Sequence, residues 1–320
     1  MADSYREHTG WQRYQPFFPT AMRCTEANAP SEERWSWRGH DVHLDRMHPR
    51  NARLKVVVLH GAGAYGRVMA PAAVLAQRYG YATVAPDLPG YGLTAVRAKD
   101  FTYGNWIDCV VDLVEAEAAR DPLPIVLFGV SLGGLLAYQV AARSRRVVGL
   151  AATTLADTSE PEVRASFSRH PWLGTFGLWL LDKLAFVTDG LPLPMRYVSK
   201  MDRISNDRRL SAICSGDPLG GGSWVPARFL RTLMMTPPAI APERFDRCPV
   251  LLVHPGDDRM TDIAVSRRFF ERLRAEKRMI VLEGASHMPT EHPGVDQLES
   301  EMKRFLDDLA KRHTFPRVAA

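Results

Sequence analysis

Disulfide and metal chemistry have little to work with in this sequence. Its 320 residues include four cysteines, Cys24, Cys109, Cys214 and Cys248, far apart and without a CxxC pair. That spacing excludes a disulfide framework and a thiolate metal site, and it predicts reduced thiols in a cytoplasmic protein. H-E-x-x-H spacing is also missing, so no metal and no organic cofactor is expected. Long apolar runs are absent. The most apolar segment, Trp172 to Val187, is interrupted by Asp182 and Lys183 and is too short to span a bilayer. Met1 to Thr20 is polar and aromatic and does not read as a signal peptide. Stable membrane insertion is therefore not expected. Charge of one sign is scarce as well: 41 Lys and Arg face 36 Asp and Glu, for a net +5 that is scattered along the chain. Without a basic run, a nucleic-acid partner is not expected. Internal repeats and low-complexity segments are missing, and nothing in the pattern specifies an oligomeric state.

What the chain does have is alternation. Leu54–Leu59, Ala82–Ala85, Ile125–Phe128 and Val147–Ala152 are short apolar runs of the kind that suits strands buried on both faces. Between them lie helical patterns near Arg67–Tyr79, Trp106–Ala119 and Leu132–Arg143. This predicts an α/β protein with a mostly parallel sheet between two helical layers. Trp35–Trp37 and Val42–Leu44 read as an extra hairpin at the sheet edge. The alternation stops near Asp157 and resumes at Val250–His254, followed by helix Ile263–Arg274, strand Met279–Leu282 and closing helix Val295–Lys311. The expected division is a core of residues 1–157 and 246–320, with a helical insertion over 158–245. The insertion contains no strand-like run and opens with Ser159-Glu160-Pro161-Glu162, a capping-box pattern.

The strand Ile125–Phe128 runs into Gly129-Val130-Ser131-Leu132-Gly133-Gly134, and a helix follows at once. G-x-S-x-G alone is a weak signal, but strand, tight turn and helix together are the setting a nucleophilic serine needs. Glycines without Cβ atoms let the turn place Ser131 in a strained conformation at a helix N-terminus, where oriented N–H groups favour developing negative charge.

With this elbow, His60-Gly61-Ala62-Gly63, Asp87-Leu88-Pro89-Gly90-Tyr91-Gly92, the stretch Pro249 to Asp258 and Gly284-Ala285-Ser286-His287, the chain resembles the α/β-hydrolase superfamily. The monoacylglycerol lipase and lysophospholipase-like branch looks nearest. Two positions depart from the pattern: Pro255 stands where glycine is usual, and Val130 where histidine is frequent before the serine. The resemblance implies a serine hydrolase with Ser131 as nucleophile, an acid and then a histidine following in chain order. His287 is the implied base, with His292 one short loop further as the alternative. The acid falls on Asp258, the fifth residue of the stretch His254-Pro255-Gly256-Asp257-Asp258, with the adjacent Asp257 and the remote Asp157 as alternatives. The implied oxyanion donors are the backbone N–H groups of Ala62 and Leu132, and His60 braces their loop.

Gly61-Ala62-Gly63-Ala64-Tyr65-Gly66 is also a literal G-x-G-x-x-G, with Asp87 about 20 residues on, the spacing of a dinucleotide fingerprint. An NAD(P)-binding oxidoreductase is thus the rival enzyme class. A non-catalytic binder on the same fold is the third reading.

The insertion bears on substrate. Trp172, Phe176 and Trp179 follow helical spacing among apolar neighbours, and Met234 lies in a second apolar stretch. The expectation is a lid whose side chains line a pocket for the apolar acyl group of a small ester. Thioesters and lactones would suit the same chemistry.

Overall fold

The computed structural model of the chain describes residues 4–313. Residues 1–3 and 314–320 of the expected core therefore lie outside the described residues. Among the described residues, eight strands form one sheet in the order β1-β2-β4-β3-β5-β6-β9-β10. They are β1 (Ser31–Trp37), β2 (His40–Met47), β3 (Lys55–Leu59), β4 (Ala82–Pro86), β5 (Ile125–Gly129), β6 (Val147–Ala152), β9 (Val250–Pro255) and β10 (Lys277–Leu282). The hairpin β1–β2 is antiparallel and joins β4 antiparallel; all other pairings are parallel. Insertion or not, β9 pairs directly with β6, Leu150 opposite Val250.

The central strands alternate strictly between two cores. Val57, Leu59, Ile125, Leu127, Leu150, Ala152, Val250 and Leu252 point to one, and Val56, Val58, Val126, Phe128, Ala151, Leu251 and Val253 to the other. Both faces are apolar because helices cover both. Helices α2 (Tyr103–Arg120) and α3 (Leu132–Arg143) pack on the first face, with α10 (Ile263–Arg272). On the second lie α1 (Ala70–Arg78) and α11 (Gly294–His313). The chain leaves β3 toward β4 on one side and returns across it to β5 on the other. The carboxyl ends of β3 and β5 thus meet at a switch point, where loops diverge and leave a crevice.

The segment between β6 and β9 holds α4 (Pro161–Phe167), α5 (Leu178–Lys183), α6 (Ala185–Thr188), α7 (Met195–Val198), α8 (Arg208–Gly216) and α9 (Ala227–Met235). Two expectations need correction here. The segment is not strand-free: β7 (Pro192–Pro194) and β8 (Trp224–Pro226) form a short antiparallel ribbon. Prolines at three of its six positions lack the N–H that a longer ladder requires, which also hid it from the apolar pattern. The capping box does not form. Helix α4 starts at Pro161, but Ser159 donates its hydroxyl to Asp157 Oδ1 at 2.6 Å instead of capping the helix.

The amino-terminal stretch packs as a strap. Tyr5, Trp11 and Tyr14 are buried. Arg67, also buried, stacks on the rings of Tyr5 and Trp11 at 4.7 and 5.3 Å and pairs bidentately with Asp45 at 2.6 and 2.8 Å. All four cysteines are free and buried.

Trp106 on α2 knits the first core together. It is 0% exposed, packs at a tilt on Phe229 of α9 with ring centres 4.7 Å apart and edges onto His60, while its indole N–H donates to Pro89 O at 2.8 Å. Trp106→Ala should cost about 3–5 kcal/mol through the cavity it leaves. Trp106→Phe keeps much of the apolar area but orphans a buried carbonyl, for a smaller loss of about 1–3 kcal/mol. Urea denaturation of the three proteins measures both.

Candidate active site

Ser131 sits between β5 and α3 with φ 55° and ψ −125°. A non-glycine residue in the left-handed region costs about 1–3 kcal/mol unless its surroundings hold it. The surroundings here are backbone on every side. A Cβ on Gly129 would stand 2.1 Å from Gly133 O, and one on Gly133 2.2 Å from Leu59 O. On the facing loop, a Cβ on Gly61 would come within 3.0 Å of the Ser131 Cβ. The glycines are thus required by close approach between the β3 loop and the β5 turn. Ser131 N–H donates to Thr153 Oγ1 at 2.9 Å, and Val130 N–H to Leu59 O at 2.9 Å, which pins the turn from both neighbouring strands.

His287 and Asp258 arrive from the other end of the sheet. Strands β9 and β10 are parallel neighbours, with Leu282 opposite Pro255, so the loops that follow them run side by side. Asp257 N–H donates to Ala285 O at 2.9 Å and stitches the two loops together. His287 Nδ1 lies 2.7 Å from Asp258 Oδ2, and His287 Nε2 lies 2.8 Å from Ser131 Oγ. The Asp258 side chain is 1% exposed. Burial alone would raise its pKa, but the His287 charge and hydrogen bond, with the Thr261 and Met260 N–H groups at 2.8 Å, hold it below the ordinary carboxylate range. An ionised Asp258 can only accept, so Nδ1 of His287 carries the proton and the Nε2 lone pair faces the serine hydroxyl.

The alternatives sit elsewhere. Asp257 is exposed. Asp157 Oδ1 accepts from the backbone and hydroxyl of Ser159. His292, 62% exposed, pairs with Asp296 at 2.6 Å.

The Ala62 and Leu132 backbones flank Ser131, and neither N–H donates to a protein acceptor among the described residues. His60 holds their loop in place. It is fully buried; its Nε2 accepts from Leu88 N–H at 3.0 Å, which leaves Nδ1 to donate to Gly61 O at 2.8 Å. Burial brings its pKa down to about 4, so the imidazole is neutral and braces the loop.

The dinucleotide reading fails at Asp87. That carboxylate is fully buried and already accepts from Tyr5 hydroxyl at 2.6 Å and from Gly66 and Leu93 N–H groups at 2.7 Å. It has no edge left for a ribose, and the glycine loop curls onto Asp87 and the Ser131 turn.

An apolar cleft opens above Ser131, about 740 Å³ out to its mouth, between the sheet end and the insertion. Leu135 and Met260 line it from the core, and Phe167, Leu230, Leu233 and Met234 from the insertion. Met234 is where the apolar pattern put it. Trp172, Phe176 and Trp179 are not: they are 58%, 59% and 53% exposed and stand on the outer surface. The reason is local. Leu173–Gly177 winds as a π turn between Trp172 and α5, so the 3.6-residue spacing does not carry through. Phe176 and Trp179 stack on each other at 5.6 Å.

Sequence reasoning missed Thr153 and Asp217. Thr153 follows β6 and has no motif to mark it. Asp217 Oδ2 accepts from Tyr14 of the strap at 2.8 Å and Tyr65 of the glycine loop at 2.9 Å, and Oδ1 accepts from Leu219 N–H at 3.0 Å. The turn it anchors packs on the oxyanion loop so closely that a Cβ on Gly220 would stand 2.7 Å from Gly63 O. These partners are 203 and 152 residues from Asp217, beyond any local pattern.

A parallel sheet with this topology, and an elbow serine that meets a histidine and a carboxylate at its carboxyl edge, defines an α/β-hydrolase fold. The model of the alpha/beta hydrolase family matches residues 56–296, and the chain belongs to that family. Lipases are among the proteins it is similar to. A phospholipase of Bacillus subtilis is 25% identical over 258 residues, covering 79% of this chain and 94% of the relative. The crystal structure of a soluble variant of monoglyceride lipase from Saccharomyces cerevisiae superposes with a TM-score of 0.73 at 17% identity, over 91% of this chain and 98% of that one. A monoacylglycerol lipase of Paleococcus ferrophilus gives 0.66 at 21% identity, over 84% and 99%.

Asp258→Asn should lower kcat far more than Asp257→Asn, by about 10⁴-fold for the residue that holds the imidazole tautomer. Steady-state kinetics on one activated ester compares the two. In the cleft, Met234→Ala should shift acyl-chain preference, at about 0.8 kcal/mol for each methylene that gains or loses contact. Phe176→Ala and Trp179→Ala should leave that preference as it is and change stability by only about 0.5 kcal/mol. Relative kcat/KM on short, medium and long acyl esters, with thermal melts, reads both effects.

Proposed function

We propose that this protein is a serine hydrolase that cleaves carboxylic esters with an apolar acyl group through an acyl-enzyme intermediate. The observation that carries the reading is the unbroken Asp258–His287–Ser131 chain, 2.7 and 2.8 Å at its two links, opening on an apolar cleft. A serine hydroxyl becomes nucleophilic only when a positioned base takes its proton. His287 Nε2 takes the proton as Oγ attacks the ester carbonyl, and Asp258 stabilises the imidazolium. The new oxyanion lies between the Ala62 and Leu132 N–H groups, at the N-terminus of α3, where donors fixed in advance need no reorganisation. Collapse expels the alcohol, which collects the proton from His287. Water then attacks the acyl-serine by the same route and returns Ser131 to its hydroxyl form.

The residues over the cleft, 158–245 by this reading, act as a lid. Phe167, Leu230, Leu233 and Met234 offer the acyl chain apolar contact without demanding one shape, which suits an acyl ester better than a peptide. The phospholipase and monoglyceride lipase names among the relatives point the same way. Thioesters and lactones pass through the same acyl-enzyme and are the neighbouring substrates to test. Among the described residues no helix is long and apolar enough to cross a membrane, and no group of three His, Cys, Asp or Glu could hold a metal ion.

Hydrolysis of p-nitrophenyl esters across chain length, beside monoacylglycerol and acyl-CoA, tests the reading directly. Ser131→Ala should lose about 10⁴–10⁶ in kcat with an unchanged melting temperature, and should lose stoichiometric labelling by a fluorophosphonate. Dialysis against EDTA should leave the rate unchanged. Retention of more than a few per cent of activity in Ser131→Ala would overturn the assignment, and fluorophosphonate labelling without turnover of any acyl substrate would favour a binding protein on this fold.

A further inference from the structure

Arg164 projects from α4 on the insertion side of the cleft into which Ser131 opens. Its neighbours on that wall are mostly apolar, Phe167, Leu230, Leu233 and Met234 among them, with Thr158 and Ser199 the polar exceptions. One nitrogen is committed, since Nη1 donates to Ser159 O at 2.9 Å and to Met234 O at 3.3 Å. Nε is shielded from solvent and has no partner. Among the described residues, no acceptor takes Nε or Nη2 and no carboxylate forms an ion pair with the guanidinium. This differs from how the chain treats its other sheltered guanidinium groups. Arg67 is clamped on Asp45, and Arg46 donates two bonds to Glu117 at 3.0 and 2.6 Å. A guanidinium in an apolar wall without its counter-charge is costly, and the Nε–Nη2 edge is the fork that matches a carboxylate or phosphate bidentately.

We propose that Arg164 is an anion-recognising subsite, and that the substrate is an ester that carries a carboxylate or phosphate on one of its two arms. The inference rests on the ester-hydrolase reading above and narrows it. The apolar wall takes the carbon chain, and the unpaired fork takes the charge. A neutral ester that fills the same space leaves the guanidinium unpaired, so discrimination comes from the missing partner as much as from the bond made. The two contacts of Nη1 with backbone carbonyls already tether the guanidinium, so little side-chain freedom is lost when an anion binds.

Two matched pairs test it and separate the arms. The p-nitrophenyl ester of hexanoic acid against the p-nitrophenyl monoester of adipic acid puts the charge on the acyl arm. Monohexanoylglycerol against monohexanoylglycerol phosphate puts it on the leaving arm. In at least one pair the anionic member should have a kcat/KM higher by about tenfold or more, the scale of a hydrogen bond to a charged group. Arg164→Gln should lose at least about tenfold more on that substrate than on its neutral partner, and Arg164→Lys should keep part of the advantage. Thermal melts on the same samples report whether the lid helix has simply loosened. No anionic advantage in either pair, or an equal loss on both members in Arg164→Gln, would overturn the subsite and leave Arg164 as a brace for α4. The same four compounds titrated into Ser131→Ala, with and without Arg164→Gln, read the preference as binding. If the wild type turns over none of them, the ester-hydrolase reading falls. The subsite then stands if the anionic member binds more tightly and loses that advantage with Arg164, and falls if it does not.

Discussion

The structure depends on one close approach: the loop after β3 laid against the turn after β5. Backbone carbonyls of Leu59, Val130 and Gly133 occupy the space that Cβ atoms would need at three glycines. Only because they do can Ser131 be held at φ 55°, with its hydroxyl presented to the apolar cleft and two free amides beside it. The strain is local and the support is not. Thr153, just past β6, and Leu59 from β3 each supply one hydrogen bond to the turn, so the neighbouring strands of the sheet are what keep it in place. A site built on strand ends in this way inherits the stiffness of a core packed on both faces.

A second layer ties the periphery to that turn through buried charge. Asp87 gathers Tyr5 of the strap and Gly66 and Leu93 of two loops. Asp217 gathers Tyr14, Tyr65 and the turn that leans on Gly63. Burial raises the pKa of both Tyr14 and Tyr65, with the Asp217 charge adding to it, so both remain donors. Each hub is satisfied on every side the structure describes, which is the condition under which buried polar networks specify one arrangement. Through Asp217, strap, insertion and oxyanion loop share one anchor. Arg164 has no such anchor, and it faces the cleft.

Much of this was legible in the chain because the relevant signals are local. Strand runs with both faces apolar, the elbow flanked by glycines and the order of serine, acid and histidine need no distant partner to be read. Register is local too: β9 and β10 are adjacent, so Asp258 and His287 are brought together by two neighbouring strand ends. The choice between Asp257 and Asp258 was not legible in this way: two adjacent carboxylates in one turn look alike in the chain, and only the fold turns Asp258 toward His287 and leaves Asp257 exposed. The expectation for Trp172, Phe176 and Trp179 failed because helical periodicity assumes an unbroken α-helix, and a π turn at Leu173–Gly177 shifts the phase. The same spacing that marks a buried stripe then marks an exposed one.

By itself the sequence determined the sheet, its two covered faces and the glycine-flanked elbow at Ser131, because periodicity and glycine placement act over a few residues; the acid and the histidine it marked only through resemblance, with neighbours in the chain as alternatives. Tertiary structure alone decided the rest. It decided that Asp87 is consumed by the strap and loops, which turned a dinucleotide-like motif into part of a hydrolase turn. It decided that Tyr14 and Asp217, 203 residues apart, share a hydrogen bond. It also decided that Arg164 meets backbone carbonyls but no carboxylate among the described residues, since whether a charge is paired depends on what the fold brings within reach of it and not on what stands beside it in the chain.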